Sequence, residues 1–252
     1  MNERFTARMY MDYVLSRKGI AIRDLNVAPV VVLSWSRGVV ESMAESMGAE
    51  LSKHWADFEG ILYTKDRVSF AQVPVGAPAT IAVMEELIAC GADTFIGLGT
   101  AGSLQPEAPI GTCVIPDSCV REEGTSLHYP VADISSDPEL AGALEQSCMR
   151  EGLNVLKGAL WTTDGVYREL VSSIEEYRGK GVLGVDMETS AMYALGRFRG
   201  VNVCNLLVVS DELWHEWKPA FGSAELMEKL KRAERAVLYC AKELSDSFTH
   251  SV

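Results

Sequence analysis

Two acidic residues in the segment GVDMETSAMYALG have the chemistry needed to bind a sugar. Asp186 and Glu188 lie two residues apart where an apolar run changes into a helical pattern, and Met187 separates them. A carboxylate at such a strand-to-helix junction can accept hydrogen bonds from both hydroxyls of a vicinal diol, the group that ribose presents. Acidic residues are also favoured at a helix N-terminus by the helix dipole, so a purely structural role is the alternative.

A further carboxyl group ends the most β-rich run of the chain. Ser210 and Asp211 follow the predicted strand Asn202–Val209, in the segment VVSDE. An aspartate in this position either caps a turn or serves as the acid of a pocket.

The glycine-rich segment GTAGSLQP predicts a turn directly after the strand Thr94–Leu98. Gly99 and Gly102 would let backbone N–H groups approach an anion, and the hydroxyl of Thr100 would add a donor. The segment has neither the Walker pattern nor the Gly-x-Gly-x-x-Gly pattern of dinucleotide-binding proteins. A tight turn without a ligand is the alternative.

Short β-branched runs alternate with helical patterns, which is typical of a wound α/β sheet. The remaining predicted strands are Pro29–Ser34, Arg67–Pro74, Thr112–Pro116, Leu156–Thr162 and Gly181–Val185. The predicted helices are Val39–Met47, Ala79–Ala89, Asp137–Arg150, Met187–Arg197 and Ser223–Ser245. We expect a single domain over residues 1–252, with a helical N-terminal extension over residues 1–27.

Polar segments follow several different strands. They are SWSR (Ser34–Arg37), GTAGS (Gly99–Ser103), TTDGVYRE (Thr162–Glu169) and VVSDE (Val208–Glu212). Ligands of open α/β sheets bind beyond the carboxyl ends of the strands. The four segments therefore predict one shared pocket, and such a pocket indicates that the protein is an enzyme.

Composition excludes several classes of partner. The formal net charge is -12, which disfavours binding to nucleic acid or to an anionic membrane surface. The six cysteines and four histidines are dispersed without metal-site spacing, and the cysteines indicate a reducing compartment. The N-terminus lacks the continuous apolar stretch of a signal peptide, and no apolar run is long enough to span a bilayer. We expect a cytoplasmic protein.

Five ordered segments resemble the nucleoside phosphorylase family, of the purine nucleoside and uridine phosphorylase type. They are GTAGSLQP, REEGTSLHYP, TTDGVYRE, GVDMETSAMYA and VVSDE, and the resemblance runs from about Pro29 to the C-terminus. It implies a three-layer α/β/α fold with a central mixed, partly barrel-like sheet. It also implies a pentosyltransferase without metal or organic cofactor, with phosphate as co-substrate, assembled as a homodimer or as a hexamer of three dimers.

The resemblance assigns roles on the sugar side of the pocket. Glu188 corresponds to the glutamate that binds the ribose hydroxyls, and Met187 to the methionine under the sugar. Asp186 stands where the family usually has a glutamate. Thr100 matches a threonine near phosphate and ribose, and Gly102 belongs to the same substrate-binding segment.

On the base side, Asp211 after Ser210 resembles the Ser-Asp pair of purine-specific members, in which the acid protonates or hydrogen-bonds N7 of the base. Val166 and Tyr167 lie in the segment that walls the base. The segment REEGTSLHYP is more similar to the uridine-cleaving branch, so base preference stays open with purine favoured. The loop ELWHEWKP either covers the base pocket or packs at a subunit interface.

The phosphate side departs from the family. The family's Gly-Asp-Pro-x-Arg loop is replaced by LSWSR, in which only Arg37 remains, and two further family arginines have no counterpart here. Charge-assisted hydrogen bonds are worth about 1.5–3 kcal/mol each, so the loss would weaken phosphate binding. Arg37, Thr100 and Arg168 are the predicted phosphate ligands. A nucleoside hydrolase that uses water, and a non-catalytic nucleoside-binding paralogue, are the alternatives.

Overall fold

Five strands close into a barrel in this computed structural model, which describes residues 3–55, 58 and 60–247. The strands are β5 (Thr94–Ser103), β6 (Cys113–Arg121), β7 (Val155–Thr162), β8 (Gly184–Asp186) and β9 (Asn202–Glu212). Around the barrel the order is β5–β9–β6–β7–β8, and β8 pairs back onto β5. The sheet is mixed, because β5 runs parallel to β9 and antiparallel to β8.

The barrel opens on one side into a sheet. β1 (Val30–Ser34) lies parallel to β5, and the sheet continues through β4 (Val68–Gln72), β3 (Ile61–Lys65) and β2 (Glu50–Leu51). A short strand, β10 (Lys218–Pro219), adds to the other side of β9.

Helices cover both faces of this sheet. They are α1 (Ala7–Ser16), α2 (Arg37–Met47), α3 (Ala77–Ala89), α4 (Pro138–Arg150), α5 (Val171–Gly179), α6 (Thr189–Arg199) and α7 (Ala224–Ser247). A turn of 3-10 helix at Ile22–Leu25 precedes β1. Within the described residues, every helix is too short or too polar to cross a bilayer.

The sequence of β1 explains the three layers. Its residues are all buried, and successive side chains of a strand point to opposite faces. Val30 and Val32 pack into a core with α2, α4 and α7, whereas Val31 and Leu33 pack into a second core with α1, α3 and α6. A strand buried on both faces has no polar alternation, as expected for a parallel strand. The predicted three-layer α/β fold with a partly barrel-like mixed sheet is confirmed.

Most predicted elements are present with shifted bounds, and two shifts affect the site. Gly99–Ser103 was expected to form a turn but is the second half of β5, because it pairs with β9 on one side and β8 on the other. VVSDE was expected to follow its strand but lies inside β9, which extends to Glu212. β2, β3, β10 and α5 were not predicted. Assignment of residues 1–252 to one domain stays a prediction.

The closure of the barrel depends on close backbone contact at Gly184. A Cβ at this position would lie 2.6 Å from the carbonyl oxygen of Gly102, which is backbone and cannot rotate away. We therefore expect Gly184→Ala to lower the free energy of unfolding by about 2 kcal/mol or more in chemical denaturation. The control is Gly142→Ala within α4, where nothing lies within 4 Å and alanine should be neutral or stabilising. An equal loss in both variants would contradict the role assigned to Gly184.

Candidate active site

A cavity of about 980 Å³ opens at the carboxyl ends of the parallel strands β1, β5 and β9. This volume is at the upper end of the range for small-molecule sites. Each of the four polar segments singled out in the sequence contributes to its lining: Ser34–Ser36, Gly99–Gly102, the group Val166, Tyr167 and Glu169, and the pair Ser210 and Asp211. The structure thus brings these segments together in one pocket.

Glu188 lies in the wall of the cavity directly before α6 and is 6% exposed. Its Oε1 accepts a hydrogen bond of 2.6 Å from the backbone N–H of Gly76. Gly76 has a φ of 101°, a conformation that residues with a Cβ rarely adopt, which accounts for glycine there. Burial, and secondly the nearby charge of Asp186, raise the pKa of the Glu188 carboxyl well above its ordinary value.

Asp186 holds the end of β8 against the start of α6. Its Oδ1 accepts a hydrogen bond of 2.7 Å from the Thr162 hydroxyl. Its Oδ2 accepts from the backbone N–H of Thr189, at 3.0 Å, and from the Thr189 hydroxyl. Burial raises the pKa of Asp186 despite these donors. Both oxygens are thus engaged by protein, and Asp186 positions the backbone that carries Glu188.

A buried polar network continues from α6 beneath the cavity. The side-chain amide of Asn205 donates to the Thr189 hydroxyl at 2.8 Å. The Ser190 hydroxyl donates to Glu123 at 2.7 Å, and Glu123 also accepts from the backbone N–H of Ser126 at 2.8 Å. Glu123 and Ser126 belong to REEGTSLHYP, the segment that was likened to the uridine-cleaving branch. This segment supports α6 and is absent from the described lining of the cavity.

Asp211 lies at the C-terminal end of β9 and lines the cavity. Its Oδ1 accepts from the Ser210 hydroxyl at 2.8 Å, and its Oδ2 accepts from the indole N–H of Trp217 at 2.9 Å. Glu212, one residue on, points to the opposite face and accepts from the backbone N–H of Ile110 at 3.2 Å. Trp217 also lines the cavity, so this part of the ELWHEWKP loop faces the pocket.

Gly102 of β5 lies close to Val185 of β8 and Asp211 of β9. A Cβ at this position would lie 3.3 Å from Cγ1 of Val185 and 3.5 Å from Oδ2 of Asp211. The closest atom would be Cδ1 of Leu213 at 2.6 Å, so the packing of Leu213 accounts for glycine at this position. Glu188 and Asp211 both line this one cavity.

Glu169 is a cavity residue that sequence reasoning did not select. It follows the 3-10 turn Val166–Arg168, in which Val166 lines the cavity and Tyr167 is 94% exposed at its rim. Burial, and secondly the charge of Asp211, raise the pKa of Glu169 to about 7. Its position in TTDGVYRE was visible in the sequence, but a glutamate beside an arginine in a loop resembles an ordinary surface pair.

Apolar residues that line the cavity were also not predicted from the sequence. The terminal helix α7 contributes Leu226, Met227 and Leu230 to the cavity, and Phe221 precedes it. The apolar stripe of α7 indicated only packing against the core, and Leu226 does both. A periodic stripe does not say which of its members face a cavity.

The end of the cavity predicted to bind phosphate is lined by hydroxyl groups, and its described lining includes no cation. Ser34, Ser36 and Thr100 line the cavity, and no arginine, lysine or histidine is among its described lining residues. Arg37 is the first residue of α2, where its Nε lies 2.8 Å from Oε1 of Glu41 with 70% of its side chain exposed. Arg168 also lies outside the described lining. The structure therefore does not bring the two predicted arginines into the cavity.

Trp35, in the segment LSWSR, lines the cavity next to Ser34 and Ser36. Its indole N–H donates to the Thr80 hydroxyl at 2.9 Å, and its ring lies against Gly99. A Cβ at Gly99 would be 2.6 Å from the ring, so Gly99 is required by this packing as well as by the cavity.

Comparison with known proteins agrees with this arrangement. Residues 29–245 match the family model described as the phosphorylase superfamily. The chain belongs to this superfamily. The resemblance found in the sequence is therefore confirmed.

Individual relatives carry related names. A guanosine phosphorylase of Halorubrum lacusprofundi is 30% identical over 69% of this chain and 74% of its own length. A uridine phosphorylase of Thermococcus kodakarensis is 29% identical over 77% and 72%. An uncharacterized protein of Acanthamoeba polyphaga mimivirus is 37% identical over 55% of this chain, and the chain spans about half of it, 54%.

One solved structure shows the same fold. A purine nucleoside phosphorylase from Toxoplasma gondii, in complex with immucillin-H, superimposes with a TM-score of 0.80 over 90% of this chain and 95% of its own. The two chains are 23% identical, so the superposition concerns the fold alone.

The raised pKa of Glu188 predicts a pH-dependent stability. The folded protein retains a proton that an unfolded glutamate, with a pKa of about 4.3, releases. Stability should therefore fall as pH rises from about 5 through the folded-state pKa, by at most about 1.4 kcal/mol per pH unit for one proton. Glu188→Gln should flatten this slope in urea titrations between pH 5 and 8. The exposed residue Glu175 supplies the control, Glu175→Gln, which should keep the wild-type slope. A wild-type slope in Glu188→Gln would contradict the assignment.

Proposed function

We propose that this protein is a nucleoside phosphorylase that transfers the pentosyl group of a purine nucleoside to phosphate, releasing free base and pentose 1-phosphate. The observation that carries the proposal is that Glu188 and Asp211 line the same cavity at the carboxyl ends of the parallel strands. The names of the guanosine and uridine phosphorylase relatives support the reaction class.

The sugar end of the proposed site is built around Glu188. The carboxyl group accepts a hydrogen bond from the backbone N–H of Gly76, and its two oxygens have further acceptor capacity for the ribose hydroxyls. Met187 lines the cavity beside it and supplies an apolar surface under the sugar. Asp186 fixes the start of α6, which sets the position of Glu188 before substrate arrives. Such preorganisation lets the hydroxyls bind without rearrangement of the protein.

Cleavage of the C1′–N bond places positive charge on the sugar and negative charge on the departing base. Phosphate below the ring stabilises the sugar and then forms the new bond to C1′. At the other end, Asp211 is held by Ser210 and Trp217 where it can hydrogen-bond the base. Two features favour a purine: a carboxyl group faces the base, and the uridine-type segment REEGTSLHYP supports α6 from outside the described lining.

A nucleoside hydrolase is the second candidate, favoured by the absence of a cation among the described lining residues. A dianion is normally held by charge-assisted donors. Water as nucleophile would need no such donors. Serine and threonine hydroxyls at the same end of the cavity, Ser34, Ser36 and Thr100, can hydrogen-bond either phosphate or water.

A single assay separates these functions. Guanosine, inosine, adenosine and uridine are incubated with and without phosphate, and free base, ribose and ribose 1-phosphate are quantified. We expect purine release that requires phosphate and yields ribose 1-phosphate. Glu188→Gln should lower turnover on the order of 100-fold, while Glu175→Gln keeps it. Free ribose formed without phosphate would establish the hydrolase instead, and nucleoside binding without product would establish a binding protein.

Arg37 remains the proposed phosphate ligand of this chain. To reach phosphate, its guanidinium would exchange Glu41 for the anion, since the two are now paired at 2.8 Å. Glu41→Gln should then free the arginine and lower KM for phosphate, whereas Arg37→Gln should raise it severalfold. Neither change should alter nucleoside affinity measured by calorimetry without phosphate. If both variants keep the wild-type KM for phosphate, Arg37 is not a ligand.

A further inference from the structure

Asp211 and Glu169 line the end of the cavity proposed to hold the base, and their carboxyl groups differ in how they are hydrogen-bonded. Asp211 accepts a hydrogen bond at each of its two oxygens, from Ser210 and from Trp217. Glu169 lines the same cavity, and among the described residues no hydrogen bond or ion pair engages its carboxyl group. One acid is therefore fixed by protein donors, and the other is available to a ligand.

The surroundings of Glu169 contain negative charge and few neutralising groups. Asp211 acts on it from β9, and Asp186 and Glu188 line the same cavity ahead of α6. The neighbouring cations are engaged or lie outside the lining. Lys218 of β10 pairs with Glu212 on the other face of β9, and Arg178 of α5 donates to the carbonyl of Trp214. Arg168 precedes Glu169 in its own turn but lies outside the described lining.

The carboxyl group of Glu169 lines the cavity beside Asp211 without a protein donor of its own among the described residues, and these surroundings favour its protonated form. Burial and the charge of Asp211 bring its pKa to about 7, and no cation of the described residues lowers it. A general acid works best when its pKa lies near the operating pH. By contrast, the donors that hold Asp211, the Ser210 hydroxyl and the Trp217 indole, fix the orientation of its carboxyl group.

We infer that Glu169 is the catalytic acid of the proposed reaction, and that Asp211 with Trp217 positions the base for it. As the C1′–N9 bond breaks, its electron pair goes to the base. The carboxyl proton of Glu169 passes to N7 of the purine, and a phosphate oxygen forms the new bond to C1′. Glu169 is left as a carboxylate and regains its proton from solvent after the base departs. This inference rests on the proposed function.

The test compares guanosine with 7-methylguanosine at pH 6. The methylated base already carries a positive charge and leaves as a neutral molecule, so its release needs no acid. Glu169→Gln should lower kcat/KM for guanosine about 100-fold and change that for 7-methylguanosine less than threefold. Retained cleavage of 7-methylguanosine also shows that the variant is folded. Asp211→Asn, which loses the bond to Trp217 or Ser210, should impair both substrates.

A pH profile provides the second readout. Wild-type kcat/KM for guanosine should fall above about pH 7, where Glu169 loses its proton, and the Glu169→Gln profile should lack this fall. Titration of phosphate affects both proteins equally and cancels in the comparison. Glu169→Asp should restore part of the activity and the alkaline fall.

The outcomes separate this inference from the proposed function. An equal loss on both nucleosides in Glu169→Gln, or no loss on either, overturns the role of Glu169 while wild-type phosphorolysis keeps the proposed function. If the wild-type protein releases base from neither nucleoside, the proposed function and the inference fall together.

Discussion

The hydrogen bonds of Asp186 are the interaction on which the site depends. They join the last residue of β8 to the first turn of α6, through Thr162 on β7 and Thr189 on the helix. A buried carboxylate requires several donors to offset its lost hydration, and here the donors come from two elements, β7 and α6. Glu188 lies between the two bonded residues, so its backbone has little freedom.

The buried hydrogen bonds that join these elements also fix the position of the candidate site. Asn205 and Ser190 extend the network to β9 and to Glu123, deep under the cavity. Networks of this kind are specific because a half-satisfied member is costly, so the elements must meet in one register. The same burial that makes the network rigid also raises the pKa of Glu188. Burial thus contributes both to the fixed position of Glu188 and to the raised pKa of its carboxyl group.

The sequence predicted the elements of the fold because their cause is local. Residues Val30–Ser34 are apolar throughout, and Asp137 followed by proline caps α4 by accepting from the Leu140 N–H at 2.8 Å. Prediction failed where pairing between distant strands decides conformation. Gly99–Ser103 has the composition of a turn, but β8 and β9 supply partners for its backbone groups and hold it as strand. Glu169 escaped selection for the same reason, because its burial arises from the fold around its loop and from no local pattern.

Two electrostatic features of the cavity are related. Its described lining includes no cation, and burial and acidic neighbours raise the pKa values of several of its carboxyl groups. The described lining contains Glu169, Asp186, Glu188 and Asp211 without arginine, lysine or histidine. Four ionised carboxylates there would repel a phosphate anion strongly at low effective dielectric. Protonation of Glu169 and Glu188, favoured by burial and by their acidic neighbours, removes part of that repulsion without any cation. When ribose hydroxyls donate to Glu188 they stabilise its charged form, so sugar binding would release a proton while phosphate binding would favour its retention. For the proposed reaction, nucleoside and phosphate binding would therefore be coupled through the protons of the site, and the effect of each substrate on the affinity for the other should depend on pH.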